Sequence, residues 1–541
     1  VSEIATTTAS EAPVLIVGAG PTGLVAAIEL ARRGLPVHLV DRLPQPSPWS
    51  AAIFIKSRTL EILADLDLVD RFLEQGEVVN GVNLFLGESQ VASYRCDDVD
   101  SPYPYILSIP ENKTVSLLTE KLNELGGRVQ RGVEFVGLEE LDDRVRVRLN
   151  SLDLGEYRLE APWVVGTDGY HSAVREAIGD DFDGRDYPQL WGVVDTELAN
   201  WRHPRNLACA QLQPPNIIPF PLGENRWRVY FRTERIDETA LAAVGERLAL
   251  ISPGTELVNT AEPQYFRSHG RIARRFRIGR VFLAGDAAHV SNPIEGHGMN
   301  AGIHDAYNLG WKLGQMVSGT ATEELIESYE CERRTVDRKI VKSGDGAEGL
   351  MAPGADDSRK SWVKFLATSE GQHFAALAES EIAYTYSGSP IVVEAGAAAS
   401  PSLLGVQIGS RVGDAPGLMG HEGAFRFHDL IKGVSASLFI MAGAAEREAV
   451  DAWLSLLARV RDFHSSFLGP AYVVLRGPPG ETPVPEGVLH DSAGRLHDRL
   501  SNGRPTLCLI RPDGHLGFRC TPPSPDKLES YLGRVCARHG G

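Results

Sequence analysis

The chain has 541 residues, 43% of them hydrophobic, so it can bury a sizeable core and by length holds about two to four domains. Seventy-one acidic against 54 basic residues leave a formal net charge of −17, which makes nucleic acid and anionic membrane surfaces poor partners. The cysteines (Cys96, Cys209, Cys331, Cys508, Cys520 and Cys536) form no CxxC and no paired metal spacing, so no metal ligand is assigned and a reducing, cytoplasmic setting is expected. The polar, acidic start and the lack of an apolar run of roughly 18 residues argue against secretion and membrane insertion.

The first predicted element is the apolar strand Val14 to Val17, which runs into GAGPTG and a helix opening at Pro21 and Thr22. Gly18 allows the tight turn, Gly20 lets backbone N–H groups approach a pyrophosphate, and Gly23 lets the helix close on the sheet. Leu24, Ala27, Ile28 and Ala31 give that helix a buried face, and Gly34 is placed to cap it. A second strand, Val37 to Val40, delivers Asp41 about 20 residues past the glycines, where a carboxylate can accept from ribose hydroxyls. Ser57 to Leu73 reads as one helical stretch through Leu60, Leu63, Leu66, Leu68 and Val69, and Val145 to Leu149 alternates as a half-buried strand. Trp191 to Leu198, Leu207 to Leu212 and Arg226 to Thr233 read as strands separated by the proline-rich LQPPNIIPFP, a sheet inserted as a substrate platform. On it Gln211 and Gln213 share a face, as do Arg228, Tyr230 and Arg232; with Asn216 and His269 they are the polar candidates, each with an exposed charged face or a core aromatic as the plainer reading.

A second glycine-rich segment, GRVFLAGDAAHVSNPIEGHGMN from Gly279 to Asn300, follows about 260 residues after the first, a pairing that points to one large ligand gripped at two places. Taken alone it could be a strand-loop-helix connection with Asp286 as a cap and His289 as a core histidine. Its glycines enter a helix, Ala301 to Val317, and so present N–H groups able to stabilise negative charge, while Pro293 lacks an N–H and can form a rigid wall. Another helix runs from Thr322 to about Lys342, a small-residue linker spans Ala395 to Ser400, and from Pro401 the composition renews itself as a separate unit. In that unit the buried strand of LCLIRPDGHLGFR turns through Asp513 and Gly514 into another.

Three motifs in order, GAGPTG at Gly18 to Gly23, VVGTDGYHSAVRE at Val164 to Glu176 and RVFLAGDAAH at Arg280 to His289, resemble the FAD-dependent aromatic hydroxylases related to para-hydroxybenzoate hydroxylase. The likeness is strongest to the longer branch of phenol and aromatic polyketide hydroxylases. It implies an α/β fold: a Rossmann-like FAD-binding domain with an inserted antiparallel-sheet substrate domain and a thioredoxin-like C-terminal domain. The implied boundaries are 12–180 for the first FAD-binding part, with a substrate-side excursion near 80–105, then 181–278, 279–394 and 395–541. By the family's roles FAD would be held by Gly18, Gly20, Pro21, Thr22, Gly23, Asp41, Arg42, Arg58, Glu111, Asp168, Gly285 and Asp286. Pro293 and the backbone of Gly296, Gly298, Met299 and Asn300 would lie against the flavin ring. Ile53, Gln211, Gln213, Tyr230, Arg232 and His269 are the substrate-side candidates, and no acid or base is assigned. The implied reaction uses NAD(P)H and dioxygen, by way of a flavin hydroperoxide, to hydroxylate a small aromatic substrate, phenolic or polycyclic.

Departures from the family pattern bear on donor and substrate. Ala51 stands where many members have an arginine that helps bind the nicotinamide cofactor or the flavin phosphates, leaving Arg58, with Lys56 or Arg42, to compensate. Ile53 replaces an acidic or histidine side chain and cannot take a proton, as in the polyketide branch, and Glu111 replaces a glutamine. Ile53 and the proline-rich segment suggest a roomy apolar pocket. Without a CxxC, the C-terminal domain is read as structural or as a homodimer contact. Baeyer-Villiger or epoxidising chemistry on the same fold, a non-catalytic binding protein and a simple dehydrogenase stay open as alternatives.

Overall fold

The computed structural model of the chain describes residues 14–48, 50, 52–236, 238–396, 405–480, 483–501 and 503–537. Ala51 and the linker and start of the following unit, from 397 to 404, lie outside the described residues. Two compact units emerge, one reaching to Ala306 and taking in Asp337–Ile382, the other made of Tyr307–Val336 and everything from Ala383. The division falls within the helices Gly298–Val317 and Glu323–Met351.

In the first unit the strand Val14–Val17 is central to a six-stranded sheet, parallel to Val37–Asp41 on one side and to Trp163–Gly166 on the other. Val14, Leu15, Ile16 and Val17 are all buried, as a parallel strand covered on both faces must be. The helix Pro21–Ala31 starts on a proline, whose missing N–H has no helical partner to lose. It ends where Gly34, at φ +73°, donates to Ala31 O.

The expected single helix from Ser57 to Leu73 is two, Ser57–Asp65 and Val69–Gln75. Leu68 N donates back to Leu63 O and Asp67 sits at φ +54°, which ends the first helix. Leu60, Leu63, Leu66, Leu68 and Val69 are nonetheless all buried, so the apolar spacing located the covered face but not the break.

The inserted sheet has nine strands. Their order runs from His289–Val290 through Gln264–Ala273, Phe182–Ala199, Arg226–Thr233, Ile217–Pro221, Ala208–Gln211 and Gly81–Leu86 to Ser89–Arg95, with Glu256–Val258 beside Phe182–Ala199. Pairing is antiparallel except between Ala208–Gln211 and Gly81–Leu86, so the excursion near 80–105 joins this sheet. The proline-rich segment, read as a separator, is itself the strand Ile217–Pro221. Pro219 and Pro221 pair with Val229 and Trp227 on one side, while the other neighbour is met only at Gln211 and Ile217, so no ladder bond is owed by the missing N–H groups.

The second unit is built on an eight-stranded mixed sheet. Ala436–Gly443 is parallel to Leu468–Arg476 and antiparallel to Thr506–Ile510, which returns as Leu516–Thr521. Its core holds an ionic cluster of fully buried groups: Glu332 accepts from Lys312 Nζ at 2.7 Å and from Arg511 Nη1 at 2.6 Å, and Arg511 Nη2 reaches Asp513 Oδ2 at 2.5 Å. Burial would push the Glu332 carboxyl up, but Arg511 and Lys312 hold it down at about 2. Among the described residues no helix is long and apolar enough to cross a membrane.

Candidate active site

The three motifs converge because their strands are neighbours: Thr167 N donates to Val17 O, Thr167 Oγ1 to Gly18 O at 2.8 Å, and Ala284 N to Gly166 O at 3.0 Å. The glycines of these motifs then divide by what surrounds them. A Cβ at Gly18 would stand 2.4 Å from Thr167 O, one at Gly23 1.9 Å from Gly18 O, and those at Gly285 and Gly302 2.5 and 2.3 Å from Thr22 Oγ1. Protein presses on all four, and Thr22 of the first loop is what the second loop closes against. At Gly20, Gly169 and Gly298, by contrast, a Cβ would meet nothing within 4 Å. The open edges lie where a ligand would approach backbone N–H groups at the starts of the helices Pro21–Ala31 and Gly298–Val317.

The acidic residues are held for the same task. Asp41 Oδ2 accepts from Ala19 N and Oδ1 from Leu43 N, each at 2.8 Å, so the carboxylate is fixed at the rim of the glycine turn. Asp168 accepts from Ser172 Oγ at 2.6 Å and from Val174 N at 3.2 Å, yet burial pushes its carboxyl up. Asp286 presents an exposed surface while the protein crowded behind it pushes its carboxyl up. Gly285 N donates to Asp305 Oδ2, which His289 Nε2 also reaches at 2.8 Å, so His289 and Asp305 fix the turn from below.

Pro293 opens a short 3₁₀ turn, Pro293–Glu295, capped by Asn292, whose Oδ1 accepts from Ile294 N. Pro293 and Ile294 form two walls of a cavity whose others are Phe54, Trp191, Ile218, Tyr230 and Phe266. It is lined by apolar and aromatic side chains and its volume is about 10 Å³; the Phe54 ring, one of its walls, stands edge-on to Phe220 at 4.2 Å. Burial pushes the Tyr230 phenol up to about 12, against the pull of Arg228.

Other expected site residues are placed elsewhere. Ile53 is fully buried in the apolar core around the cavity without being one of its walls. Gln211 is buried and bonded to Gly87, Gln213 is exposed, and Arg232 pairs with Glu348 and donates to Met351 O. His269 stacks on Tyr170 and bonds Asp186. Asn216 caps its own turn through Gln211 O and Leu212 O, and Arg228 is locked bidentate on Asp195. Glu111 begins the helix Glu111–Glu124, accepting from Ala52 N at 3.3 Å while its own N–H donates to Ser50 Oγ. Arg58 pairs with Glu61, and Arg42 is exposed. Lys56, considered as a phosphate partner, is fully buried and turned to the second loop instead.

These residues fit FAD. The open Gly20 edge would take the pyrophosphate, Asp41 a ribose, Asp286 the ribityl chain, and the segment from Pro293 to Asn300 the ring, whose redox chemistry the bound flavin supplies. Comparison with known proteins agrees. The model of the FAD binding domain family matches residues 11–343. The chain is 30% identical over 553 residues to pentachlorophenol 4-monooxygenase of Sphingobium chlorophenolicum, covering 98% of this chain and 97% of that protein. It is 34% identical over 358 residues to rifampicin monooxygenase of Streptomyces venezuelae, 64% of this chain and 74% of the relative. Among solved structures, anhydrotetracycline hydroxylase OxyS from Streptomyces rimosus superposes with a TM-score of 0.74 at 27% identity, over 96% of this chain and 98% of that one. The chain belongs to the FAD binding domain family, as a flavoprotein monooxygenase of the aromatic hydroxylase type.

Proposed function

We propose that this monooxygenase hydroxylates a phenolic or polycyclic aromatic substrate, using NAD(P)H and dioxygen, in the cavity beside Pro293. The observation that carries the reading is that Pro293 and Ile294, from the flavin-facing segment, share one apolar cavity with Trp191, Ile218, Tyr230 and Phe266 of the inserted sheet. Aromatic walls orient a planar ring and exclude water from the reacting carbon. Tyr230 keeps its proton at neutral pH and serves as the donor to a substrate oxygen. Phe54 is the side chain that must yield for a polycyclic substrate to enter. The relatives' names, which include a rifampicin, a pentachlorophenol and a 6-methylpretetramide monooxygenase, support the substrate class.

The test is anaerobic mixing of the yellow holoenzyme with NADH or NADPH, with and without candidate phenols, followed by oxygen and product analysis. Bleaching and a hydroxylated product are expected; no bleaching under any condition overturns the reading, and a lactone from a candidate ketone would move it to Baeyer-Villiger chemistry.

For the second unit we infer a thioredoxin-like domain without redox activity, in a soluble, cytoplasmic protein. Support comes from the strand Ala436–Gly443, helix Arg447–Phe463, strand Leu468–Arg476, antiparallel pair Thr506–Ile510 and Leu516–Thr521, and closing helix Pro525–Val535. Burial pushes the Cys508 thiol up to about 12, which keeps it protonated and unreactive. A homodimer contact through this domain is the accompanying expectation, read by light scattering.

A further inference from the structure

We infer that Lys56 is a positioning residue for the flavin-facing segment, and that His297 Nδ1 makes its hold on FAD depend on one proton. The inference rests on FAD as the ligand and is independent of which aromatic compound is hydroxylated.

Lys56 lies where the strand Phe54–Ile55 passes into the helix Ser57–Asp65, and it is fully buried. A buried ammonium is costly unless its donors are met. Here Nζ donates to Glu295 O at 2.6 Å and stands 3.1 Å from His297 Nδ1, 3.2 Å from Glu379 Oε1 and 3.9 Å from Glu381 Oε1. The Lys56 backbone N–H donates to Asn300 Oδ1 at 3.0 Å. Both ends of one residue therefore grip the segment at 295, 297 and 300, which brackets the open Gly298 edge.

His297 Nδ1 faces two partners with opposite demands. It is 3.1 Å from the Lys56 ammonium, from which it can accept only when unprotonated, and 2.5 Å from Glu381 Oε1, to which it can donate only when protonated. One nitrogen cannot do both at once. Glu381 stays available as an acceptor: burial pushes its carboxyl up, but His297, His304 and Lys56 hold it below the usual carboxylate range. The remaining titratable groups around the cluster are Glu295, whose Oε2 is 3.9 Å from His297 Nε2, His304, 3.6 Å from Glu381 Oε2, Tyr94, which donates to Glu379 Oε2 at 2.9 Å, and Cys96. With Nδ1 unprotonated, His297 and Lys56 attract and the segment is drawn onto Lys56. With both ring nitrogens protonated, the imidazolium and the Lys56 ammonium stand at hydrogen-bond distance and the segment is pushed toward Glu381. FAD binding should accordingly weaken as pH falls.

The experiment dilutes the holoenzyme and follows the rise of flavin fluorescence on release, giving an FAD Kd from about pH 5.5 to about pH 9 for wild type, K56M and H297Q, with far-UV circular dichroism as the folding check. Wild type is expected to release FAD more readily at low pH. K56M should raise the Kd by about tenfold or more at neutral pH, and H297Q, whose amide can serve both partners without titrating, should bind FAD with a flat pH profile. A K56M Kd equal to wild type, or an H297Q profile that keeps the wild-type slope, overturns the inference. Should K56M not fold, the H297Q profile decides alone.

Discussion

A methyl group at Gly285 would stand 2.5 Å from Thr22 Oγ1, and the backbone there has φ +60°, so both space and conformation demand glycine. G285A should part the two ligand-binding loops at their point of closure, costing about 1–3 kcal/mol in stability and weakening FAD binding by at least about tenfold, measured by denaturant unfolding and by flavin release. Phe54 makes a different kind of contact, its ring forming one wall of the cavity beside Pro293 and standing edge-on to Phe220. F54A should therefore raise NAD(P)H oxidation with polycyclic phenols relative to simple phenol; an unchanged ratio would mean that the ring does not control access. The crowding of Gly23 by Gly18 O and the turn opened by Pro293 follow from local backbone chemistry. The bonds of Gln211, Arg232 and His269 do not, since a polar strand residue spends its hydrogen bonds on whichever partner lies across the fold, here Gly87, Glu348 and Asp186.

At the scale of elements, the side-chain amide of Asn300 ties the loop from Pro293 to Asn300 to the strand Phe54–Ile55 and to Lys56 just after it. Asn300 Nδ2 donates to Phe54 O at 2.8 Å and to Gly296 O at 3.0 Å while Oδ1 accepts from Lys56 N. Asn300 is fully buried, so N300A leaves these groups unmet and should cost about 2–4 kcal/mol, seen as a lower urea midpoint at unchanged slope. Asn300 is expected only as part of the flavin-facing backbone; its side chain's role needs Phe54, in a strand 246 positions away. Periodicity had similar limits. It found the buried faces of Ser57–Asp65 and Val69–Gln75 but merged them, and it passed over Ile217–Pro221 because prolines are admissible in a strand only where a neighbour's ladder lapses.

Over the whole molecule, the second unit is tied across its core by Lys312, Glu332, Arg511 and Asp513, with Trp311 Nε1 donating to Asp513 Oδ2. Glu332 is held at about 2 in the fold against an ordinary 4.5, a depressed carboxyl, so its stabilisation is present above about 4.5 and lost as pH falls toward 2. The loss should reach about 3 kcal/mol at most and appear as faster hydrogen exchange in Thr506–Ile510. E332Q leaves the Lys312 and Arg511 charges buried with less compensation and should destabilise the unit by about 3–5 kcal/mol at neutral pH. The order of the motifs and the presence of an inserted sheet could be read from short runs of residues whose spacing carries its own geometry, and the family resemblance carried by those motifs implied FAD. Tertiary structure alone decided the partners: Thr22 closing on Gly285, Phe54 walling the cavity beside Pro293, and Lys56 gripping a segment some 240 residues away. Burial makes an unmet charge costly, and only the folded chain determines which distant group meets it.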